Sequence, residues 1–308
     1  MTRLRSIGTN PTIRNFARDA SQSAIRKVAN FVAPTVEVPT LTGQYKIYDA
    51  KHRYKRPNTL RNTDGKATRI GFTAKDAKYN LIPHALDFPI PNVETLNDEG
   101  FMNQVRYGTT LLADSSGLDH EANVIDTMLE QVGAGDDVDF KAANFDPIDY
   151  LDKKIIKVMK LAKNGAGIRI LFGPTAERLF KNNSKVLYRF NGGGGKALKV
   201  PTLTDLSDML IGKPEIETAL MVHDAAPEGK EEDIQFLVDE AIIVFACNPN
   251  PNTMDPSFMK TFRLMGQWMR PGAYKSEDER DDILKMDWIE EIVVTNGTAA
   301  DRTNAKEE

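Results

Sequence analysis

The chain has 308 residues, 41% of them hydrophobic and 27% charged, with a formal net charge of −4; this is globular composition, enough for one large or two modest domains. It has no apolar run of about eighteen residues, which excludes a membrane-spanning helix, and its opening residues lack the apolar stretch of a secretory signal. Cys247 is the single cysteine, so an intramolecular disulfide and a cysteine zinc cluster are excluded, in keeping with synthesis in a reducing cytosol. The charge is unevenly spread: residues 1–80 carry 16 basic and 5 acidic side chains, the remaining 228 carry 24 basic and 39 acidic. A basic first quarter on an acidic remainder points to contact with nucleic acid or between copies of the chain.

Residues 11–31 read as an amphipathic helix, capped by Asn10 with Pro11 in its first turn. Ile13, Phe16, Ala17, Ala20, Ala24 and Val28 keep the helical period, and Arg14, Arg18, Gln22 and Arg26 line another face. Pro34 and Pro39 end it in an extended segment. Such a lone helix on a proline-hinged arm has no core of its own and is expected to pack elsewhere. Residues 43–91 read as a long two-stranded excursion: GQYKIYDAKHRYKRPN, a turn-rich centre, then ATRIGFTAKDAKYNLIPHALDFPIP. Between Gln44 and Asn80 stand ten basic residues, among them Arg53, Arg56, Arg61 and Arg69, against Asp49, Asp64 and Asp76. With little to bury in its own core, such a hairpin is marginal in water and needs a surface to lie on. A neighbouring subunit is one candidate surface; single-stranded nucleic acid stacked on Tyr45, Tyr48 or Tyr54 is the other.

A long helical stretch follows from Val93 to Val132, with candidate breaks at Gly108 and Ser115–Gly117. Its predicted apolar side is Phe101, Val105, Leu111, Leu112, Leu118, Ala122, Ile125, Met128 and Leu129. DPIDYLDKKIIKVMKLAKNG is a second strong helix, with a face of Ile148, Leu151, Ile155, Val158 or Met159, and Ala162. GIRILFG reads as a short buried strand, PTAERLFKNN as a helix opened by a proline, and LTDLSDMLIG as a further helix. TALMVHDA and EAIIVFAC are expected to pair with each other around the turn PEGKEED, and TFRLMGQWMR and KMDWIEEIVVTN to be strands joined by SEDERDD. Residues 299–308 read as a polar tail.

No constellation for catalysis emerges. The run Asn191-Gly-Gly-Gly-Gly-Lys196 lacks the glycine and the Ser or Thr of a phosphate loop, having Phe190 and Ala197 there. Gly165 and Gly167 have Ile170 where a dinucleotide fingerprint needs a third glycine. His120-Glu121 lacks the second histidine of a helix-borne zinc site. His223-Asp224 reads as a turn and Cys247 as a buried inert thiol. The carboxylates of Asp136-Asp137, Glu231-Glu232-Asp233 and Glu277 to Asp282 sit in polar loops, without the burial that makes an acid/base pair. No catalytic, cofactor or metal residue is assigned.

The order of these segments resembles the major capsid proteins of tailed phages, the Hong Kong ninety-seven-like shell fold. The resemblance rests on NPTIRNFARDASQSAIRKVANF, the basic loop through DFPIPNVE, the spine-like ETLNDEGFMNQVRYGTTLLADSSGLDHEANVIDTMLEQV, and RILFGPTAERLFKNNSKVLYRF with EAIIVFACNPNPNTMDPSFMKTFRL. It covers nearly the whole chain, and its specificity lies in the order. It implies an α+β fold with an N-terminal arm (1–42), an extended two-stranded loop (43–92), and a spine helix with the first part of a peripheral β-sheet (93–145). A mixed α/β axial domain (146–256) and peripheral return strands (257–298) would follow, then the tail (299–308). It also implies a non-enzymatic, self-assembling shell of hexamers and pentamers around packaged DNA, with no membrane involved. Its other partners would be a portal, a decoration protein and, because the 42 residues ahead of the loop are shorter than a scaffolding leader, a separate scaffolding protein. Arg14, Arg18, Arg26, Arg53, Arg56, Arg61 and Arg69 are the candidate inter-subunit contacts. Lys51, Lys55 and Lys66 could supply the lysine of a crosslink, but nothing singles one out. A nanocompartment shell of the same fold, or a nucleic-acid-binding protein, are the alternatives.

Overall fold

A computed structural model of the chain describes residues 27–48, 56, 59–60, 65, 74–91, 98–142, 144–162, 167–192, 199–227, 229–248, 250–253, 255, 257–277 and 281–307. Helix α1 (Lys27–Val32) is followed, after Pro34, by strand β1 (Thr35–Val38). β2 (Thr42–Tyr48) and β3 (Ala74–Asn80) are the antiparallel limbs of the extended loop, in register from Thr42↔Asn80 to Tyr48↔Ala74. β4 (Ile82–Pro91) leads to the spine α2 (Asp98–Val132), whose 35 residues run unbroken, about 52 Å at 1.5 Å per residue.

The expected breaks in α2 are absent for local reasons. Thr109 and Ser116 donate their hydroxyls to the carbonyls of Val105 and Leu112 one turn back, at 2.7 and 2.5 Å, so these side chains are satisfied without leaving the helix. Gly108 lies against strand β4, where an added Cβ would stand 2.4 Å from the Phe88 ring. The buried stripe of α2 therefore runs through small residues, Gly108, Ala113 and Ser116, beside Val105, Leu112 and Ile125, while Leu111, expected on that stripe, is exposed.

The helix packs on a five-stranded sheet built around β13 (Asp281–Val294). One edge of β13 pairs with β4, from Asp281↔Pro91 to Glu290↔Ile82; its other edge takes β11 (Met259–Leu264) and then β12 (Arg270–Lys275). β1 adds to β11 in parallel. Asp282, Leu284, Met286, Trp288 and Glu290 alternate as the buried face of β13, the period-two signature of a half-covered strand. TFRLMGQWMR is thus two strands and not one, since the chain turns at Met265–Gly266, where Gly266 takes φ +71.

The second sheet has the order β5 (Asp136–Asp139), β14 (Ala300–Lys306), β10 (Ala241–Ala246), β6 (Ile168–Phe172), β7 (Glu215–Thr218). Helix α3 (Pro147–Ala162) buries Ile148, Leu151, Ile155, Val158 and Ala162, the face read from its period. α4 (Pro174–Asn182) begins with its proline, α5 (Ser184–Phe190) is capped by Asn183, and α6 (Leu203–Met209) by a capping box between Thr202 and Asp205. These helices and the apolar strands β6 and β10 form the main core.

Three further expectations change. Residues 300–306 are not a tail but the inner strand β14, held between β10 and β5 by backbone pairing, with Thr303 and Ala305 buried. EAIIVFAC pairs with β6 and β14, not with TALMVHDA, whose β8 (Val222–Asp224) pairs instead with β9 (Ile234–Phe236): a fully apolar strand is buried on both faces and needs a neighbour on each edge. The described end of the amphipathic helix packs in this subunit's own core through Val28, Ala29, Val32 and Ala33, because α1 sits against α2 and the second sheet.

Candidate assembly surfaces

The base of the extended loop is anchored. Tyr45 of β2 and Tyr79 of β3 are buried against Phe262 of β11, with ring centroids 5.3 and 5.1 Å away. The Tyr79 hydroxyl lies 3.0 Å from that of Thr40, and the Asn80 N–H donates to the Glu291 carboxylate at 2.6 Å. Burial, and then the nearby Glu291, push the Tyr45 phenol above its usual range. Tyr45 is therefore packed in the core and is not available to stack on a base, which corrects the expectation for that residue; the side chains of Tyr48 and Tyr54 lie outside the described ones. Of the candidate contacts, Arg56 is described and exposed; Arg14, Arg18, Arg26, Arg53, Arg61 and Arg69 lie outside the described residues, as do Gly193 to Lys196 of the glycine run.

At the junction of spine and sheet the sequence reading missed a buried charge cluster. Arg263 of β11 donates through Nε and Nη2 to Glu290 Oε2 at 3.1 and 2.8 Å, and His120 Nδ1 of α2 lies 2.7 Å from Glu290 Oε1. The guanidinium also covers the Trp268 ring, 3.3 Å from its centroid. Burial would raise the Glu290 carboxyl, but the His120 and Arg263 partners outweigh it and hold it below the ordinary glutamate value. Sequence patterning gave no signal for this cluster, since it assigns both charges to water and β11 is buried along its length without alternating. A second cluster fixes the loop before β11: the fully buried Lys260 ammonium donates to the carbonyls of Asn252 and Asp255, both at 2.7 Å, and lies 3.0 Å from the Asp255 carboxylate. A third ties α3 to the second sheet, Lys154 bonding Asp136 and Asp301 at 2.5 and 2.9 Å and Lys157 bonding Asp301 at 2.5 Å.

These clusters join elements of the fold to one another. Burial pushes the Cys247 thiol up to about 11, even with Arg169 beside it, so at neutral pH the thiolate that would act as nucleophile is scarce. Among the described residues no group of His, Cys, Asp and Glu has the arrangement of a metal site, and no helix is long and apolar enough to cross a membrane. Among the described residues, large apolar side chains stand exposed on α2 (Tyr107, Leu111), on α5 (Tyr188) and on the β8–β9 pair (Val222, Ile234, Phe236).

No protein-family profile matches the chain, and no curated protein matches its sequence. Its structure does have counterparts. A phage-related protein from Bordetella bronchiseptica RB50 superposes with a TM-score of 0.67 at 15% identity, covering 96% of each chain. The capsid of cyanophage P-SCSP1u gives a TM-score of 0.54 at 12% identity over 90% of this chain and 87% of that one. This is the phage capsid fold. Spine, peripheral sheet and axial sheet stand in the order that the Hong Kong ninety-seven-like resemblance implies. The same fold carries the SrpI encapsulin of Synechococcus elongatus PCC 7942, similar at a TM-score of 0.51 and 11% identity over 88% of this chain and 84% of that one.

Proposed function

We propose that this chain is the major capsid protein of a tailed bacteriophage, a non-enzymatic subunit that assembles into a closed icosahedral or prolate shell around double-stranded DNA in the virion. The observation that carries the reading is the near end-to-end match to a phage-related protein, supported by an extended two-stranded loop whose base is anchored by Tyr45 and Tyr79. A loop of this kind is ordered at the expense of chain entropy, which contact with a neighbour offsets on assembly. Permanent interfaces of this type commonly exceed about 2,000 Å² in total, area to which the residues ahead of α1 and the extended loop would contribute. The basic loop meeting an acidic neighbour would set orientation and reject wrong approach. Assembly would draw on a separate scaffolding protein in the host cytoplasm, and the shell would carry a portal and a decoration protein.

The second reading is a nanocompartment shell, favoured by the likeness to an encapsulin. Electron microscopy of the expressed chain decides whether it forms closed shells, and the contents of particles made beside its neighbouring genes decide between the two readings. Packaged DNA supports the capsid; an enzyme cargo supports the compartment; absence of particles under every condition overturns both.

A further inference from the structure

Among the described residues the β8–β9 pair bonds to no other strand. Its register sets Val222 opposite Phe236 and Asp224 opposite Ile234, so these four side chains share one face. Val222, Ile234 and Phe236 are 40, 57 and 41% exposed, and Leu220 at its entrance is 67% exposed. The turn beyond is acidic, with Glu231, Glu232 and Asp233 exposed beside Lys230. The Asp224 carboxylate accepts from the N–H groups of Ala226 and Asp233, both at 2.9 Å, which fixes the turn on the strands. The result is a preformed blade, apolar along one face and acidic at its tip.

A surface of the opposite character stands on α5. Tyr188 is 66% and Val200 54% exposed. Asn191 ties the two together, its side chain bonding Leu187 O and both the N–H and the carbonyl of Lys199. Lys185 donates to the carbonyl of Asn144 at 2.8 Å, so its charge is not cancelled by a carboxylate there, and Lys199 is exposed; Arg189 is matched by Asp146. The two surfaces lie towards opposite edges of the second sheet. The blade grows out of the edge strand β7, whereas α5 is bonded through Asn183 and Lys185 to Phe140 and Asn144, just beyond the other edge strand β5. Five strands separate those edges by about 19 Å.

We propose that the β8–β9 blade of one subunit docks on the Tyr188–Val200 surface of a second copy of this chain, head to tail. The inference rests on the shell reading and names one of the contacts that reading requires. Two different surfaces at opposite edges make a heterologous contact, and repeating it about an axis closes a ring. The apolar residues of blade and platform bury one another while the acidic tip meets Lys185 and Lys199, which orients the approach.

The test uses the full chain and reads particle formation by light scattering and electron microscopy. Glu231→Lys with Glu232→Lys, or Lys185→Glu with Lys199→Glu, is expected to slow assembly at low salt on the order of tenfold, with circular dichroism unchanged. Combining all four changes restores the interaction with reversed sign, and the rate should return towards that of the parent chain. A chain carrying Phe236→Cys and Tyr188→Cys, oxidised in the particle, should give a ladder of covalent oligomers. Parent chains that form shells while the combined variant is not rescued and no ladder appears overturn this contact and leave the shell reading standing. Dimers formed by Phe236→Cys alone overturn the head-to-tail arrangement, and a parent chain that never forms particles removes the shell reading and this contact together.

Discussion

Replacing Glu290 by glutamine probes the junction on which the spine and the peripheral sheet depend. Glu290 is the shared acceptor of Arg263 and His120, and the three side chains are 4, 7 and 2% exposed. Removing one charge of such a group leaves the guanidinium buried without its counter-ion, and the cost expected for that is about 3–5 kcal/mol. Replacing both ions, Arg263→Met with Glu290→Leu, removes the unpaired charge. It leaves only His120 without a partner, at about 1–3 kcal/mol, so the double variant should be more stable than the single one. Urea titration of unassembled subunits measures this, and tryptophan fluorescence is the fitting probe because the chain has two tryptophans, Trp268 under Arg263 and Trp288 two residues from Glu290 on the same buried face. The pH dependence has a definite sign. The Glu290 pKa is lower in the folded chain than its ordinary value of 4.5, so its contribution is complete above about pH 4.5 and is lost as the pH falls through the folded value. Glutamine at 290 should remove that part of the acid limb. A single-variant loss under about 1 kcal/mol, or a double variant no more stable than the single, would refute the assignment of this cluster as a buried ion pair that holds the junction.

Gly173→Ala should destabilise the subunit by about 1–3 kcal/mol, since an added Cβ would stand 1.9 Å from the Asp239 carbonyl oxygen; thermal unfolding at equal protein concentration checks it. Deleting residues 1–40 removes Val28, Ala29, Val32, Val36 and Val38 from the buried core together with β1, and the shortened chain should lose its cooperative transition in calorimetry, whereas deletion of 1–26 should retain it. Reversing Arg53, Arg56, Arg61 and Arg69 to glutamate together should leave the subunit's circular dichroism unchanged and abolish assembly at low salt; single exposed pairs contribute only about 0–1 kcal/mol, so the effect belongs to the set. Intact empty shells that no longer bind DNA would move the loop to a DNA-facing role.

Local physics was legible without tertiary information wherever one side of an element faces the core. The face of α3, the proline that opens α4 and the apolar run of β6 follow from period and propensity, because each records burial on a single element. The order arm, loop, spine, sheet also survives in the chain, since it is carried by proline and glycine punctuation and by the charge of residues 43–80. Partner choice is another matter. ADRTNAK has no apolar alternation to announce a strand, yet it is β14, because backbone pairing to β10 and β5 does not depend on side chains and its Asp301 is claimed by two lysines of α3. Arg263 and Glu290 carry charges that sequence patterning assigns to water. Only the three-dimensional meeting of β11, β13 and α2 brings each beside an opposite charge that makes its burial affordable. Charge and period are properties of a segment, whereas pairing and ion matching are properties of two segments far apart in sequence, and these the tertiary structure alone decided.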